Sequence, residues 1–356
     1  MSDPLPQGAV IGILGGGQLG RMLSVAAARL GYRSHIFEPG DAPAGHVAEK
    51  VTQADYTDLD AIRAFAANVD IVTYEFENVP TAALDLLAAS VPVRPGINAL
   101  AISQDRIVEK DFLSDLGLAT APYRAVGSVQ DLKAALATLG TPSILKTRRF
   151  GYDGKGQIRI KDAADCDRIW AEMADAPSVL EGFVEFSREV SVIGARGLDG
   201  AVACFDPGEN VHKDGILATT TVPATLSQSE RTDAIILTGM ILNALDYVGV
   251  LGVELFVTAE GLVVNEIAPR VHNSGHWTQN GCLIDQFEQH IRAITGLPLG
   301  DGQRHSNVEM TNIIGDDIDT LPAHVADGST AVHLYGKAEA RAGRKMGHLN
   351  RITGPA

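Results

Sequence analysis

The sequence predicts an α/β fold at the amino terminus that passes into an α+β centre and a small, mostly β carboxyl-terminal part. Three observations predict it. Apolar runs alternate with helical patterns over residues 8–98. A Gly-rich segment joins two strands between residues 143 and 161, and a hairpin over 250–266 leads into an unusually polar stretch. The bounds agree. A chain of 356 residues with 45% apolar residues and 37 glycines can build more than one core. The net charge of −15 disfavours nonspecific nucleic-acid or membrane-surface binding. The scattered Cys166, Cys204 and Cys282 form neither a ligand-spaced pair nor a disulfide framework. With no basic and apolar leader and no apolar run near eighteen residues, the expected compartment is reducing and cytoplasmic.

The first element is Ala9–Leu14, a buried-strand run. Gly15-Gly16-Gly17-Gln18-Leu19-Gly20 follows and opens a helix that stops at Gly31. Strands at 34–38 and 71–76 flank a helix at 58–68, so a small parallel sheet with helices on its faces is expected. The glycines match G-x-G-x-x-G, with Glu38 placed as a ribose ligand, which supports a dehydrogenase reading. Physically the motif offers N–H groups at a helix N-terminus to some anion, and a phosphorylated substrate serves as well as a pyrophosphate. A tight turn without a ligand is the bland alternative. Glu75 points to the crevice at the strand ends, and Glu77 reads as a solvated carboxylate. Pro92-Val93-Arg94-Pro95-Gly96 breaks the pattern as a linker.

A helix is expected over 103–117. Its Arg106 is either a solvated charge or a phosphate contact. Ser143–Lys146 and Ile158–Lys161 read as strands joined by Gly151-Tyr152-Asp153-Gly154-Lys155-Gly156-Gln157. A loop between two strands excludes a Walker A reading, which needs a helix. Such a loop can cover a triphosphate, with Lys146 and Lys155 supplying charge. Glu181-Gly182-Phe183-Val184 offers backbone groups and apolar walls to an adenine edge. Glu189 fits a ribose hydroxyl, and His212 is either a phosphate contact or a solvent-exposed turn residue.

The periodicity of a helix over 229–247 indicates core packing alone. In the hairpin that follows, a turn centred on residue 260 places Glu254 opposite Glu266 on one face. Two buried carboxylates repel, and a divalent cation removes the objection. Oxygen ligands without nearby Cys favour Mg²⁺, with Mn²⁺ possible. The hairpin runs into Asn265-Glu266-Ile267-Ala268-Pro269-Arg270-Val271-His272-Asn273-Ser274-Gly275-His276, a density of site-type side chains unlike a solvated loop. A helix is expected over 282–295 and a boundary at Gly296. The β tail ends in Arg341, Arg344, Lys345, His348 and Arg351, either a solvated basic tail or a phosphate site.

Together these segments resemble the ATP-grasp superfamily, which holds ATP between two α+β lobes. Within it they resemble the family of 5-(carboxyamino)imidazole ribonucleotide synthases. The matching stretches are Gly15–Met22, Gly151–Gln157, Asn265–Asn280 and Gly343–His348. The resemblance implies a Rossmann-like pre-ATP-grasp domain over 1–98, ATP-grasp lobes over 99–297 and a small β domain over 298–356. It implies a C–N ligase of purine biosynthesis that carboxylates 5-aminoimidazole ribonucleotide with bicarbonate and ATP through carboxyphosphate, as a homodimer. Arg270, His272, Lys155 and Tyr152 are expected around the reacting groups. Arg106, Lys146, Gly151 through Gln157, Glu181, Gly182, Phe183, Val184, Glu189, His212, Asn265 and Glu266 are expected to contact ATP. Gly17, Gln18, Leu19, Glu75, Asn273, Ser274, Lys337, Arg344 and Lys345 are expected to contact the ribonucleotide. The rivals are a formate-dependent glycinamide ribonucleotide transformylase, a dehydrogenase and a non-catalytic nucleotide binder. Family members commonly continue beyond the position of Ala356, so lighter packing is expected behind the basic site.

Overall fold

The computed structural model describes residues 3–151, 156–162 and 165–356. Its first sheet is wholly parallel. The strand order is Lys50–Thr52, Arg33–Phe37, Val10–Leu14, Ile71–Tyr74. The helix Gln18–Arg29 begins directly at the first Gly loop. The helix expected over 58–68 covers Leu59–Ala66, and Asp58 caps it by accepting the N–H groups of Asp60 and Ala61.

The helix expected over 103–117 covers Arg106–Asp115, and a separate helix, Ile97–Ser103, precedes it. Asp105 separates them. Its carboxylate accepts the Ile107 N–H and forks with Arg148, so the chain restarts a helix there instead of continuing one.

A second, antiparallel sheet of four strands runs in the order Tyr123–Val126, Ser178–Gly182, Ser143–Thr147, Gln157–Ile160. Two helices, Val129–Leu139 and Cys166–Glu172, supply its apolar cover through Leu132, Leu136, Ile169 and Trp170. The third sheet has nine strands and is the backbone of the molecule. The hairpin Gly249–Thr258 and Gly261–Ala268 forms one end. Arg188–Arg196, Gly208–Lys213 and Ile216–Val222 lie in the middle, with Val202–Cys204 paired beside Arg188–Arg196. Ser306–Ile314, Lys345–Pro355 and Thr330–Leu334 complete it. The carboxyl-terminal strands therefore extend the central sheet and do not form a separate one. Of the basic tail, Lys345, His348 and Arg351 lie on an eleven-residue strand, Lys345–Pro355, paired on both edges, and Arg341 and Arg344 precede it.

The first sheet is fastened to the rest through the helix Gln286–Thr295. Its His290 is fully buried and contacts Thr73 Oγ1 through Nε2 at 2.8 Å, while Nδ1 accepts the Val250 N–H at 3.1 Å. Arg94 donates to the Ile294 carbonyl at 2.5 Å, and Arg29 pairs with Asp285 and Glu288 at 2.8 and 2.7 Å. Asp285 caps this helix and Gly296, at φ 85°, ends it.

Candidate active site

The hairpin carries the centre of the site. Thr258 pairs with Gly261, so the turn has two residues and is centred between 259 and 260, not on 260. Continued regularly, that register would set Glu254 opposite Asn265. A one-residue β-bulge after Leu255–Val264 takes up Asn265 and brings Glu266 opposite Glu254. The facing carboxylates expected from the sequence are present, but a bulge produces them. The bulged Asn265 directs its amide at Glu254, with Nδ2 3.5 Å from Oε2.

The charges around this pair are layered. Arg106 donates to Glu266 at 3.1 Å from the first residue of its helix. Burial alone would lower the Arg106 pKa, but Glu266, Glu109 and Glu181 hold it above the usual guanidinium value. Burial likewise pushes Glu266 up, and Arg106 and Lys146 bring it below the ordinary carboxylate range. Glu254 lacks a matching cation. Burial, then Glu266, pushes it up to about 7. Below the pair, Glu109 accepts the Ile267 N–H at 2.5 Å, and burial, then Glu266, raises it to about 8. Lys146 donates to Glu181 at 2.9 Å, and Lys110 stands 3.3 Å from the other oxygen of that carboxylate. Burial would raise Glu181, yet Lys146 and Lys110 hold it low, so it stays charged.

The polar stretch after the hairpin turns back over the carboxylates. His272 Nε2 lies 3.5 Å from Glu254 Oε1. Burial, then Arg270, depresses the imidazole well below its usual value, so it is neutral. Arg270 pairs with Glu77 at 2.7 Å. Glu77 is thus a partner inside the site, correcting its reading as a solvated carboxylate; burial raises it and Arg270 lowers it. Asn273 and Asn312 exchange amide hydrogen bonds at 3.0 and 2.8 Å. The Ser274 hydroxyl is engaged by Ser191 and His272. His212 Nδ1 contacts Glu189 at 2.7 Å, which joins two residues expected to touch ATP and removes the solvent-exposed reading of His212.

The first Gly loop departs from its sequence reading. Its N–H groups meet carboxylates of this chain and not an outside anion. Gly16 donates to Glu38 at 2.8 Å, Gly20 to Glu75 at 2.7 Å, and Gly17 to the other Glu75 oxygen. A Cβ on Gly17 would meet Glu75 Oε1 at 2.7 Å, so the glycine is required by the close carboxylate. Glu38, bound by Gly16 and Gly40, is not offered to a ribose, which removes the main support for a dehydrogenase. Leu19 packs its side chain into the core, while Gln18 stays partly exposed beside Glu75's loop.

Of the nucleotide residues, Gly151, Gly156 and Gln157 border the loop. Tyr152, Asp153, Gly154 and Lys155 lie outside the described residues. Gly156, at φ 71°, has its carbonyl bonded by the Thr147 N–H. Gly182 ends a strand, Phe183 is exposed with the Arg159 guanidinium 4.5 Å over its ring, and Val184 is half-buried. In the carboxyl-terminal part, Lys337 donates to the Lys345 carbonyl at 2.8 Å and Arg344 to the Glu339 carbonyl at 2.9 Å. His348 is fully buried against Tyr335, and Arg341 and Arg351 pair with Glu339 and Glu309. These three leave the basic site that the sequence had proposed.

Sequence reasoning missed Glu77, Glu109, Lys110, Ser191 and Asn210. Glu77 follows Glu75 at a strand end, and that doubling was a readable signal. The others sit inside ordinary helices and strands, and only the pairing of distant elements makes them neighbours.

The donor set fits a small hard cation. Among the described residues no group of three or more His, Cys, Asp or Glu forms a complete metal cage. Two facing carboxylates, one with its charge uncompensated, suit an ion that takes its remaining ligands from phosphates and water.

A small antiparallel lobe carrying Lys146 and a Gly-rich connection, set against a larger sheet bearing a carboxylate pair, defines an ATP-grasp protein. Family models agree. An ATP-grasp domain matches residues 111–287, a ribonucleotide synthetase preATP-grasp domain 9–104, and a phosphoribosylaminoimidazole carboxylase C-terminal domain 309–354. The N5-carboxyaminoimidazole ribonucleotide synthase of Brucella melitensis is 56% identical over 352 residues, covering 98% of this chain and 97% of the relative. N5-carboxyaminoimidazole synthetase from Staphylococcus aureus complexed with ADP superimposes with a TM-score of 0.94 at 36% identity, over 99% and 95% of the two chains. The Aspergillus clavatus enzyme in complex with ADP and 5-aminoimidazole ribonucleotide gives 0.92 at 30% identity, over 98% and 94%. The chain belongs to the N5-carboxyaminoimidazole ribonucleotide synthase family.

Proposed function

We propose that the protein carboxylates 5-aminoimidazole ribonucleotide with bicarbonate at the expense of ATP, giving the N5-carboxyamino product, ADP and phosphate. The observation that carries the reading is full-length likeness to an enzyme solved with ADP and that ribonucleotide, together with the carboxylate pair and its cations. Bicarbonate is a weak electrophile. Transfer of the γ-phosphoryl group to one of its oxygens makes carboxyphosphate, whose carbon the exocyclic amine attacks as phosphate leaves and the amine loses a proton.

Each residue has a task that follows from its chemistry. Glu254 and Glu266 would hold Mg²⁺ or Mn²⁺, which when bound neutralises phosphate charge. Lys146, already held by Glu181, and Arg106, already held by Glu266, would lie along the nucleotide with Lys155 and the loop around it. The nucleotide's ribose and phosphates would meet Glu189 and His212. Arg270 and His272, a fixed cation beside a neutral imidazole, would hold bicarbonate and then carboxyphosphate. Glu75, Gln18 and Asn273 would orient the ribonucleotide, and Lys337, Arg344 and Lys345 would receive its phosphate. Tyr152 and the surrounding loop would keep water from carboxyphosphate, which decomposes in it. We propose a cytoplasmic homodimer, with domains divided near residues 98 and 297.

The test is phosphate release from Mg-ATP with bicarbonate, with and without the ribonucleotide. Release that depends on both supports the reading. Release with formate in place of bicarbonate would point to a glycinamide ribonucleotide transformylase, and tight NADH binding without ATP binding to a dehydrogenase. Nucleotide binding with no turnover would mark a non-catalytic protein.

A further inference from the structure

Behind His272 lies a run of buried hydroxyl and amide groups contributed by four separate segments. Thr220 Oγ1 donates to Asn210 Oδ1 at 2.9 Å, and Asn210 Nδ2 donates to Ser191 Oγ at 3.0 Å. Ser191 Oγ lies 2.7 Å from Ser274 Oγ, which lies 2.8 Å from His272 Nδ1. All four supporting side chains are buried, so water does not compete for these bonds. Ser191 also stands directly across from Glu254 on the neighbouring strand, so the run reaches the carboxylate pair from behind.

Hydroxyls can be oriented either way along such a run, and its end decides the direction. The backbone N–H of Ser274 also points at His272 Nδ1, at 3.4 Å. A backbone N–H can only donate, so Nδ1 presents its lone pair. The Ser274 hydroxyl then donates to Nδ1, Ser191 donates to Ser274, and the Asn210 amide donates to Ser191. Every hydroxyl hydrogen in the run has an acceptor in this direction. The imidazole proton is left on Nε2, on the side of Glu254.

We propose that Asn210, Ser191 and Ser274 are positioning residues that hold His272 as the Nε2–H tautomer, so that it offers a neutral N–H to an oxygen of bicarbonate or carboxyphosphate. The opposite tautomer would turn a lone pair toward any anionic oxygen, a repulsive contact. A neutral donor also places no second mobile charge beside Arg270. The identity of the ligand rests on the carboxylation reading; the tautomer does not.

The test uses the full-length protein labelled with ¹⁵N-histidine, with the His272 signals assigned by their loss in His272→Gln. Without substrates, His272 should show an acceptor-type Nδ1 and a protonated, pyrrole-type Nε2. Ser274→Ala should move both shifts toward a tautomer average and lower kcat/KM for bicarbonate about tenfold to a hundredfold, the usual range for losing an orienting partner behind a site residue. KM for ATP should not move. Ser274→Cys keeps nearly the same volume with a weaker donor and should fall between; it also carries the test if the alanine variant does not fold. Ser191→Ala should act in the same direction and less strongly, because Ser274 still reaches Nδ1. A wild-type His272 protonated on Nδ1, or Ser274 variants with unchanged shifts, would overturn the proposal. The NMR result is obtained on resting protein, so an error in the assigned reaction would leave it intact and show only in the kinetic arm.

Discussion

Replacing Glu266 with Gln keeps the shape of the site and removes one of two facing charges. Two opposing effects on the ligand-free protein can be weighed. Glu254 is pushed up to about 7 by burial and then by Glu266. Taken from an ordinary value near 4.5, that is a cost of about 3 kcal/mol for keeping Glu254 ionised at pH 8. Burial is the larger contributor, so removing Glu266 should recover on the order of 1 kcal/mol. Against this, Arg106 loses its partner at 3.1 Å, a partly exposed contact also worth about 1 kcal/mol. Ligand-free stability should therefore change by no more than about 1 kcal/mol in either direction. Activity should not survive. Losing about 4 kcal/mol of metal-assisted charge stabilisation lowers the rate about a thousandfold. The assay pairs chemical denaturation without ligand against phosphate release with all three substrates. The wild type should also gain about 2.7 kcal/mol from Mg-ATP at a hundred times its Kd, and Glu266→Gln should gain much less at the same concentration. Near-normal phosphate release, or an undiminished gain from Mg-ATP, would refute the metal assignment.

Other consequences can be checked separately. In neutral His290 both nitrogens are used, Nδ1 by the Val250 N–H and Nε2 by Thr73, and burial lowers its pKa to about 3. The unfolded chain binds that proton near pH 6.5, so stability should fall as pH drops from about 6.5 toward 3, by on the order of 3–4 kcal/mol from this group; His290→Gln should flatten that part of the denaturation profile. Gly17→Ala places a Cβ 2.7 Å from Glu75 Oε1 and should displace that carboxylate, raising KM for the ribonucleotide about tenfold or more while Mg-ATP still stabilises the protein in a thermal shift. Lys146→Met leaves Glu181 with Lys110 alone and should cost about 3 kcal/mol in urea denaturation as well as ATP affinity. Adding Glu181→Leu and Lys110→Met to it removes the whole buried charge cluster and should restore much of the stability and none of the activity; a triple variant less stable than the single would contradict the buried-pair account.

Local chemistry was legible in the sequence wherever it depends on spacing along one segment. The alternation over residues 8–98 yields the parallel sheet because strand and helix periods are set by neighbouring residues. The hairpin brings Glu254 to Glu266 within a dozen residues, and the polar run through Asn273 follows it without interruption. Those stretches, together with the family likeness they carry, set the class of chemistry. Spacing failed where a backbone irregularity or a distant partner intervenes. The bulge at Asn265 decides the carboxylate register, yet nothing in its composition announces it. The Gly15–Gly20 loop reads as an anion cradle, and the anion proves to be Glu75 from a strand 58 residues beyond Gly17. Burial separates His348 from the basic cluster although both lie in one short segment. The partners of Glu266, Glu181 and His272 come from Arg106, Lys110 and Lys146, and Ser191 by way of Ser274. Which donors are present is a property of the sequence. Which of them meet, in which protonation state and tautomer, is decided by the tertiary structure, because Coulomb and hydrogen-bond energies depend on distances of a few ångströms that no spacing along the chain prescribes.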